Sequence, residues 1–201
     1  PINYAILDGE SETGITIFQI EPRLDAGPML ARIATPIGPK ETAGELERRL
    51  AMLSVAPTLE VIRQIESGTT RPLPQDRGQV TKAPRMPKQI GEIVWSQPAR
   101  RIECHIRAMQ PWPKPFTFLH QHERDPLRTL ILDVDPVELP PEATSSPPGD
   151  VVAVSDHDLL VRTGDGAVAL RKIQPAGRRP MSAADFLHGH AVRVGDHLGP
   201  E

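Results

Sequence analysis

The 201-residue sequence is poor in cysteine, in aromatic residues and in long apolar runs. Cys104 is the only cysteine, which excludes an intrachain disulfide and a cysteine zinc site and makes a cytoplasmic location the default expectation. No apolar run approaches the roughly 18 residues that a membrane span needs, and no charged-then-apolar leader is present, so the composition reads as soluble with no membrane partner. The chain opens on Pro1-Ile2-Asn3 without methionine, the form of a processed chain or a piece of a longer one. Aromatics amount to 3% against 23 prolines, which favours modest cores joined by stiff connections over a single compact barrel. A net charge of −3 argues against indiscriminate nucleic-acid binding and leaves a local basic patch to be looked for.

What is present is a change of pattern along the chain. INYAIL (2–7) reads as a short helix stopped by Asp8-Gly9. ETGITIFQIE (12–21), with Ile15, Ile17 and Ile20 alternating against polar residues, and MLARIATPI (29–37) read as two strands. Residues 41–68 carry Leu46, Leu50 and Leu53, then Leu59, Ile62 and Ile65, at helical spacing. Thr42 three residues before Glu45 predicts a capping box, Gly68 the stop, and Pro57 a kink or a split. This helix is expected to cover one face of the strand pair. Residues 69–91 are irregular and basic, with Arg71, Arg77, Lys82, Arg85 and Lys88 against Asp76 alone. Helical spacing resumes through Ala99, Ile102, Ile106 and Met109 and ends at Pro111. From 116 onward short strands alternate with hairpin turns at 156–158 and 164–166, the pattern of a small barrel, interrupted by a stretch (139–150) expected to be a mobile loop. A last helix is predicted at 182–189, capped by Ser182 with Asp185 at its third position.

Few residues stand out chemically. Asp25, in RLDAGPML (23–30), sits in a turn between the two strands, where an acid ordinarily satisfies the local backbone but where α/β folds also bind ligands. The seven histidines make no metal case, since the pairs His120/His122 and His188/His190 lack a third ligand at convincing spacing. Cys104 and His105 point about 100° apart on a helix, so they form no thiolate–imidazole pair. TGDG (163–166) is a hairpin with no helix behind it to aim amides at a phosphate. The linker cations, with Arg100, Arg101 and Arg107 and the loop residues Arg178 and Arg179, form either a solvated face or a nucleic-acid footprint.

Three stretches together resemble one family, methionyl-tRNA formyltransferase. PINYAILDGESETGITIFQIEPRLDAGPML (1–30) is similar to the second half of that family's catalytic domain, with its ETG(I/V)T strand and LDAG loop. GEIVWSQPARRIECHIRAMQPWP (91–113) is similar to its linker, and IQPAGRRPMSAADFL (173–187) to its C-terminal signature, which is not expected in sugar or glycinamide formyltransferases. The resemblance implies an α/β chain: the C-terminal portion of a Rossmann-like formyltransferase domain (1–70), a basic linker and helix (71–112), and a small OB-like β-barrel domain for tRNA (113–201). It implies transfer of a formyl group from 10-formyltetrahydrofolate to initiator methionyl-tRNA, without a metal, by a monomer. Asp25 is then the catalytic acid, with Leu24, Asp25 and Gly27 beside the folate, Gly27 giving room for the pterin, and Lys82, Arg85, Lys88, Arg178 and Arg179 on the tRNA. The family's asparagine and histidine lie upstream of a stretch that ends where Pro1-Ile2 begin, so the chain looks like the C-terminal two-thirds of the enzyme and is expected to be inactive alone. A sugar-nucleotide N-formyltransferase and a non-catalytic RNA-binding fragment remain the alternatives.

Overall fold

The computed structural model describes the chain from Pro1 to Glu201, with only the side chain of Arg77 outside the described residues. Helix α1 (Ile2–Leu7) stops at Asp8-Gly9, where Gly9 adopts φ +79°. The chain runs out as β1 (Glu12–Phe18) and returns as β2 (Met29–Pro36), an antiparallel pair in register from Glu12 opposite Pro36 to Ile17 opposite Ala31. Helix α2 (Ala43–Glu66) starts with the capping box that its spacing predicts: the Glu45 amide donates to the Thr42 hydroxyl, and the Thr42 amide donates to the Glu45 carboxylate. Leu46 and Leu50 of this helix are buried with Ile6, Ala43, Ala108 and Met109 in the smaller of two cores.

Helix α3 (Ala99–Ala108) belongs to both cores. Ala99, Ile102 and Ile106 enter the larger one, while Ala108 and the following Met109 enter the smaller. Between these faces lie Glu103 and Arg107, only 2% and 7% exposed. The Arg107 guanidinium donates twice to the Glu103 carboxylate, one turn back along the helix, and its remaining nitrogen donates to the Glu41 carbonyl at 3.0 Å, just ahead of α2. Cys104 is buried beside them; burial, with the Glu103 charge next, pushes its thiol up and keeps it protonated. A second tie is Lys40, whose ammonium donates to Asp133 at 3.0 Å and to Asp135 at 2.5 Å. Burial alone would lower Lys40, but the bonds to Asp135 and Asp133 carry it above its usual value.

The larger core fills a nearly closed barrel. Its strands are β3 (Phe116–His120), β4 (Leu127–Val137), β5 (Val151–Val154), β6 (Leu159–Arg162), β7 (Ala167–Pro175), the two-residue β8 (Met181–Ser182) and β9 (His197–Gly199). They pair in the order β5-β6-β7-β4-β3-β9, with β8 on β7. The two ends of that order meet at an Asp150–His197 bridge, where the Val151 amide donates to Asp196 and the Leu198 amide to Gly149. Helix α4 (Ala183–Gly189), capped by Ser182, buries Phe186 in the same core, and Trp95 joins it from the linker through an indole N–H to the Thr117 hydroxyl at 3.0 Å. The α/β-then-barrel class read from the sequence is the observed one.

Four expectations need correction. The first strand stops at Phe18, not at residue 21: after a register shift between Ile17 and Phe18 its last rung pairs Phe18 with Met29, and Ile20 lies beyond it in the loop, 88% exposed. Pro57 does not split α2, which stays continuous; only the bond from its own missing N–H is lost. The C-terminal half of α2 does not cover the strand pair, since Leu59, Ile62 and Ile65 face solvent and only Val61 is buried there. Residues 139–150 are tied down by a 3₁₀ turn at Pro141–Ala143, with Ala143 buried and Arg162 donating to the Ser146 and Thr144 carbonyls.

Removing one member of the α3 ion pair should cost far more than removing both. Arg107→Met leaves the Glu103 carboxylate buried without its main donor, and urea unfolding should show a loss of about 3–5 kcal/mol. The Glu103→Leu/Arg107→Met double variant should recover much of that loss. A single-variant loss of less than about 1 kcal/mol would mean that the pair behaves as a solvated one.

Candidate functional site

The loop between β1 and β2 is closed at its base by the Gln19 amide, which donates to the Pro28 carbonyl at 3.0 Å. Gly27 is buried against the same turn, and a Cβ there would stand 1.7 Å from the Gln19 carbonyl oxygen. Only glycine fits that approach. The missing side chain at Gly27 thus makes room for the chain's own Gln19 carbonyl, and one role of the residue is to let the loop fold. Asp25 takes φ +51°, a left-handed conformation that aspartate tolerates better than most side chains, and it is exposed beside Leu24, which is 87% exposed.

A second segment clamps this loop. The Gln75 side-chain amide donates to the carbonyls of both Asp25, at 3.0 Å, and Gly27, at 2.7 Å. Beside it, Leu73 and Met29 exchange two backbone bonds of 2.7 and 2.8 Å, so the linker adds one rung to the strand pair. The backbone of the Asp25 turn is therefore held at two carbonyls, while its carboxylate makes no hydrogen bond or ion pair with another described side chain and stays available to a ligand or a further group.

The basic candidates separate into two kinds. Lys82, Arg85, Lys88, Arg178 and Arg179 are all exposed, as phosphate contacts must be. Arg85 lines a hollow of about 530 Å³ with Tyr4, Glu47 and Trp112. Lys88 lies elsewhere, in a groove that also includes Ala176 at the start of the loop bearing Arg178 and Arg179. Arg107, counted with the basic face in the sequence, is instead buried in its ion pair, and Arg101 donates to the Leu7 carbonyl, so α3 spends those cations on the fold. Among the described residues no group of three or more His, Cys, Asp and Glu could hold a metal ion, and no helix is long and apolar enough to cross a membrane. Sequence reasoning missed Gln75, whose role depends on a loop 48 residues away. A single polar residue in an irregular stretch carries no local signal.

Residues 1–62 match the family described as formyl transferase, and residues 85–191 match its C-terminal domain. Among curated proteins, the methionyl-tRNA formyltransferase of Rhodopirellula baltica is 41% identical over 98% of this chain and 60% of its own length. That of Sorangium cellulosum is 37% identical over 99% of this chain and 62% of its own length. The chain thus spans about three-fifths of these relatives. Among solved structures, HypX from Aquifex aeolicus in complex with tetrahydrofolic acid superposes with a TM-score of 0.62 at 22% identity, covering 92% of this chain and 32% of that one. WlaRD, a sugar 3N-formyl transferase, gives 0.62 at 16% identity over 89% of this chain and 60% of its own. At such identities the two structures share the fold with this chain and nothing finer.

The clamp makes a prediction in two parts. Gly27→Ala must push the Gln19 backbone aside and should cost about 1–3 kcal/mol of stability in thermal or urea unfolding. Gln75→Ala should leave global unfolding nearly unchanged while amide hydrogen exchange quickens at residues 24–27. Unaltered exchange there would show that the loop holds itself.

Proposed function

The chain belongs to the formyl transferase family, and from that premise we propose that it serves a methionyl-tRNA formyltransferase, which moves the formyl group of 10-formyltetrahydrofolate to the amino group of methionine on the initiator tRNA. The observation that carries this reading is the likeness to bacterial methionyl-tRNA formyltransferases along nearly the whole chain, barrel as well as Asp25 loop, at up to 41% identity. Because the chain spans about three-fifths of those relatives, the activity is proposed for a protein of their full length. On this reading residues 1–70 complete the catalytic domain, 71–112 form the linker and its helix, and 113–201 form the tRNA-binding barrel, in a soluble enzyme acting in the cytoplasm.

The chemistry asks for little beyond positioned polar groups. The methionine amine attacks the formyl carbon, the carbonyl oxygen takes up negative charge in the tetrahedral intermediate, and the bond from that carbon to the folate nitrogen breaks as the amine loses a proton. The oxyanion needs hydrogen-bond donors, which the family pattern places upstream of this chain. An unpaired, exposed carboxylate on a clamped loop suits the remaining task, holding a neighbouring imidazole cationic and passing on the amine's proton. Leu24 offers an exposed apolar surface beside that carboxylate for a flat ring such as the pterin. No metal is required for any of these steps. The exposed Lys82, Arg85, Lys88, Arg178 and Arg179 supply phosphate contacts that fix the tRNA without reading its sequence.

In a protein of the relatives' full length carrying this sequence, Asp25→Asn should lower turnover of methionyl-tRNA by about 10²-fold or more with little change in tRNA affinity. Near-normal turnover would remove Asp25 from the chemistry, and formylation of a sugar-nucleotide amine in place of charged tRNA would replace the substrate assignment. A second measurement concerns the linker. Each of Lys82→Ala, Arg85→Ala and Lys88→Ala should reduce the salt slope of methionyl-tRNA binding by about 0.7–0.9, alike for initiator and elongator tRNA. An unchanged slope in the triple variant would make these cations a solvated face.

A further inference from the structure

The groove that contains Lys88 runs over the outside of the barrel along β3 and β4. Its volume is about 970 Å³, at the upper end of the roughly 300–1,000 Å³ typical of ligand sites. Phe116, Phe118 and Arg128 line it together with Lys88 and Lys114, and it is flanked by Ala176 beside β4 and Pro200 beyond β9. The sheet arranges the first three. Phe118 faces Arg128 across the β3–β4 ladder and Phe116 faces Leu130, so the guanidinium reaches diagonally over the Phe116 ring, with its carbon 4.4 Å from the ring centre. The two phenylalanines meet edge to face at 6.2 Å. These side chains are half-buried and none is apolar filler for the barrel, whose core lies on the opposite face of the same strands.

The cations there are unspent. Lys88, Lys114 and Arg128 make no ion pair with a described carboxylate within 4.0 Å, whereas Arg49, Arg107 and Arg171 elsewhere on the surface and in the core are paired. Lys114 is held in a left-handed conformation at φ +77°, and Gly91 makes room for it: a Cβ at Gly91 would stand 2.3 Å from the Lys114 carbonyl. A lysine in that region is strained, and its residue lines the groove. Glu92 and Glu201 also line the groove, so it is not a uniformly positive strip of the kind that attracts any polyanion. Affinity must then come from stacking as well as from charge.

We propose that this groove binds an unpaired segment of RNA, with one base stacked on the outer face of the Arg128 guanidinium and the flanking phosphates on Lys88 and Lys114. Arg128, its guanidinium carbon already held over the Phe116 ring and its side chain half-exposed, would stack a base at little further ordering cost. Arg178 and Arg179, exposed two and three residues after Ala176, lie outside the groove's lining and would take only phosphates beyond it. The inference rests on the reading of the chain as a tRNA enzyme, but it adds a single-strand site to the phosphate contacts of the linker.

The test uses the 201-residue chain and three fluorescein-labelled probes: an unstructured octaribonucleotide, the same strand with abasic sites at its four central positions, and a blunt RNA hairpin. The octamer should bind more tightly than the abasic strand, and Arg128→Gln should weaken octamer binding about fivefold or more while leaving hairpin binding within twofold. Phe116→Leu, which keeps an apolar residue of similar volume, should act in the same direction, and circular dichroism checks that both variants keep the fold. Equal binding of intact and abasic strands, or an unchanged octamer affinity in Arg128→Gln, would overturn the stacking site, as would equally tight binding of an acidic octapeptide. None of these readings depends on formyl transfer, so failure of the substrate assignment would appear in the turnover assay and not here.

Discussion

Burying an arginine and a glutamate within one helix forces the rest of the molecule to satisfy them. Neither Glu103 nor Arg107 can be left without a partner away from water, so α3 must lie where Arg107 reaches both Glu103 and the Glu41 carbonyl. Glu41 in turn accepts from Arg49 and, one residue before the Thr42 cap, sets the entry of α2. The helix that fills the barrel core is thereby indexed against the helix that backs the strand pair. Lys40 repeats the tie from the other side through Asp133 and Asp135 on β4. Polar contacts of this kind are directional, and two of them fix an orientation that apolar packing alone would leave loose.

The polar frame also explains why the cations of this chain cannot be read as a single population. Arg107 is consumed by the fold, Arg171 bridges Asp135 and Asp158 across the sheet, and Arg162 secures the proline-rich loop. The cations outside these networks include those on the linker, on the loop after β7 and in the β3–β4 groove. The net charge of −3 averages over both sets and so conceals the second.

Much of the architecture was legible because the signals were local. Thr42 with Glu45 and Ser182 with Asp185 act within three residues, hairpin turns declare themselves by composition, and the spacing of Ile102, Ile106 and Met109 specifies a buried helix face. Errors arose where the deciding partner is remote. Ile20 continues an alternation past the last rung of the ladder, at Phe18. Leu59, Ile62 and Ile65 keep a helical period whether or not anything lies against it. Arg107 looks like any other base until the Glu41 carbonyl, 66 residues away, is placed beside it. The Asp25 turn was visible as a turn, but Gln75 and the Gln19 carbonyl that define its shape were not. Likewise the Arg128–Phe116 stack is a diagonal across two strands, and sequence spacing does not encode a diagonal.

Gln75 spans the loop and the linker with a single side chain, and its two hydrogen bonds exist only when both are in place. The populations of the ordered loop and the ordered linker are therefore linked, and linkage runs equally in both directions. Whatever displaces the linker at Gln75 also frees the carbonyls of Asp25 and Gly27, and whatever moves those carbonyls leaves the Gln75 amide without its two acceptors.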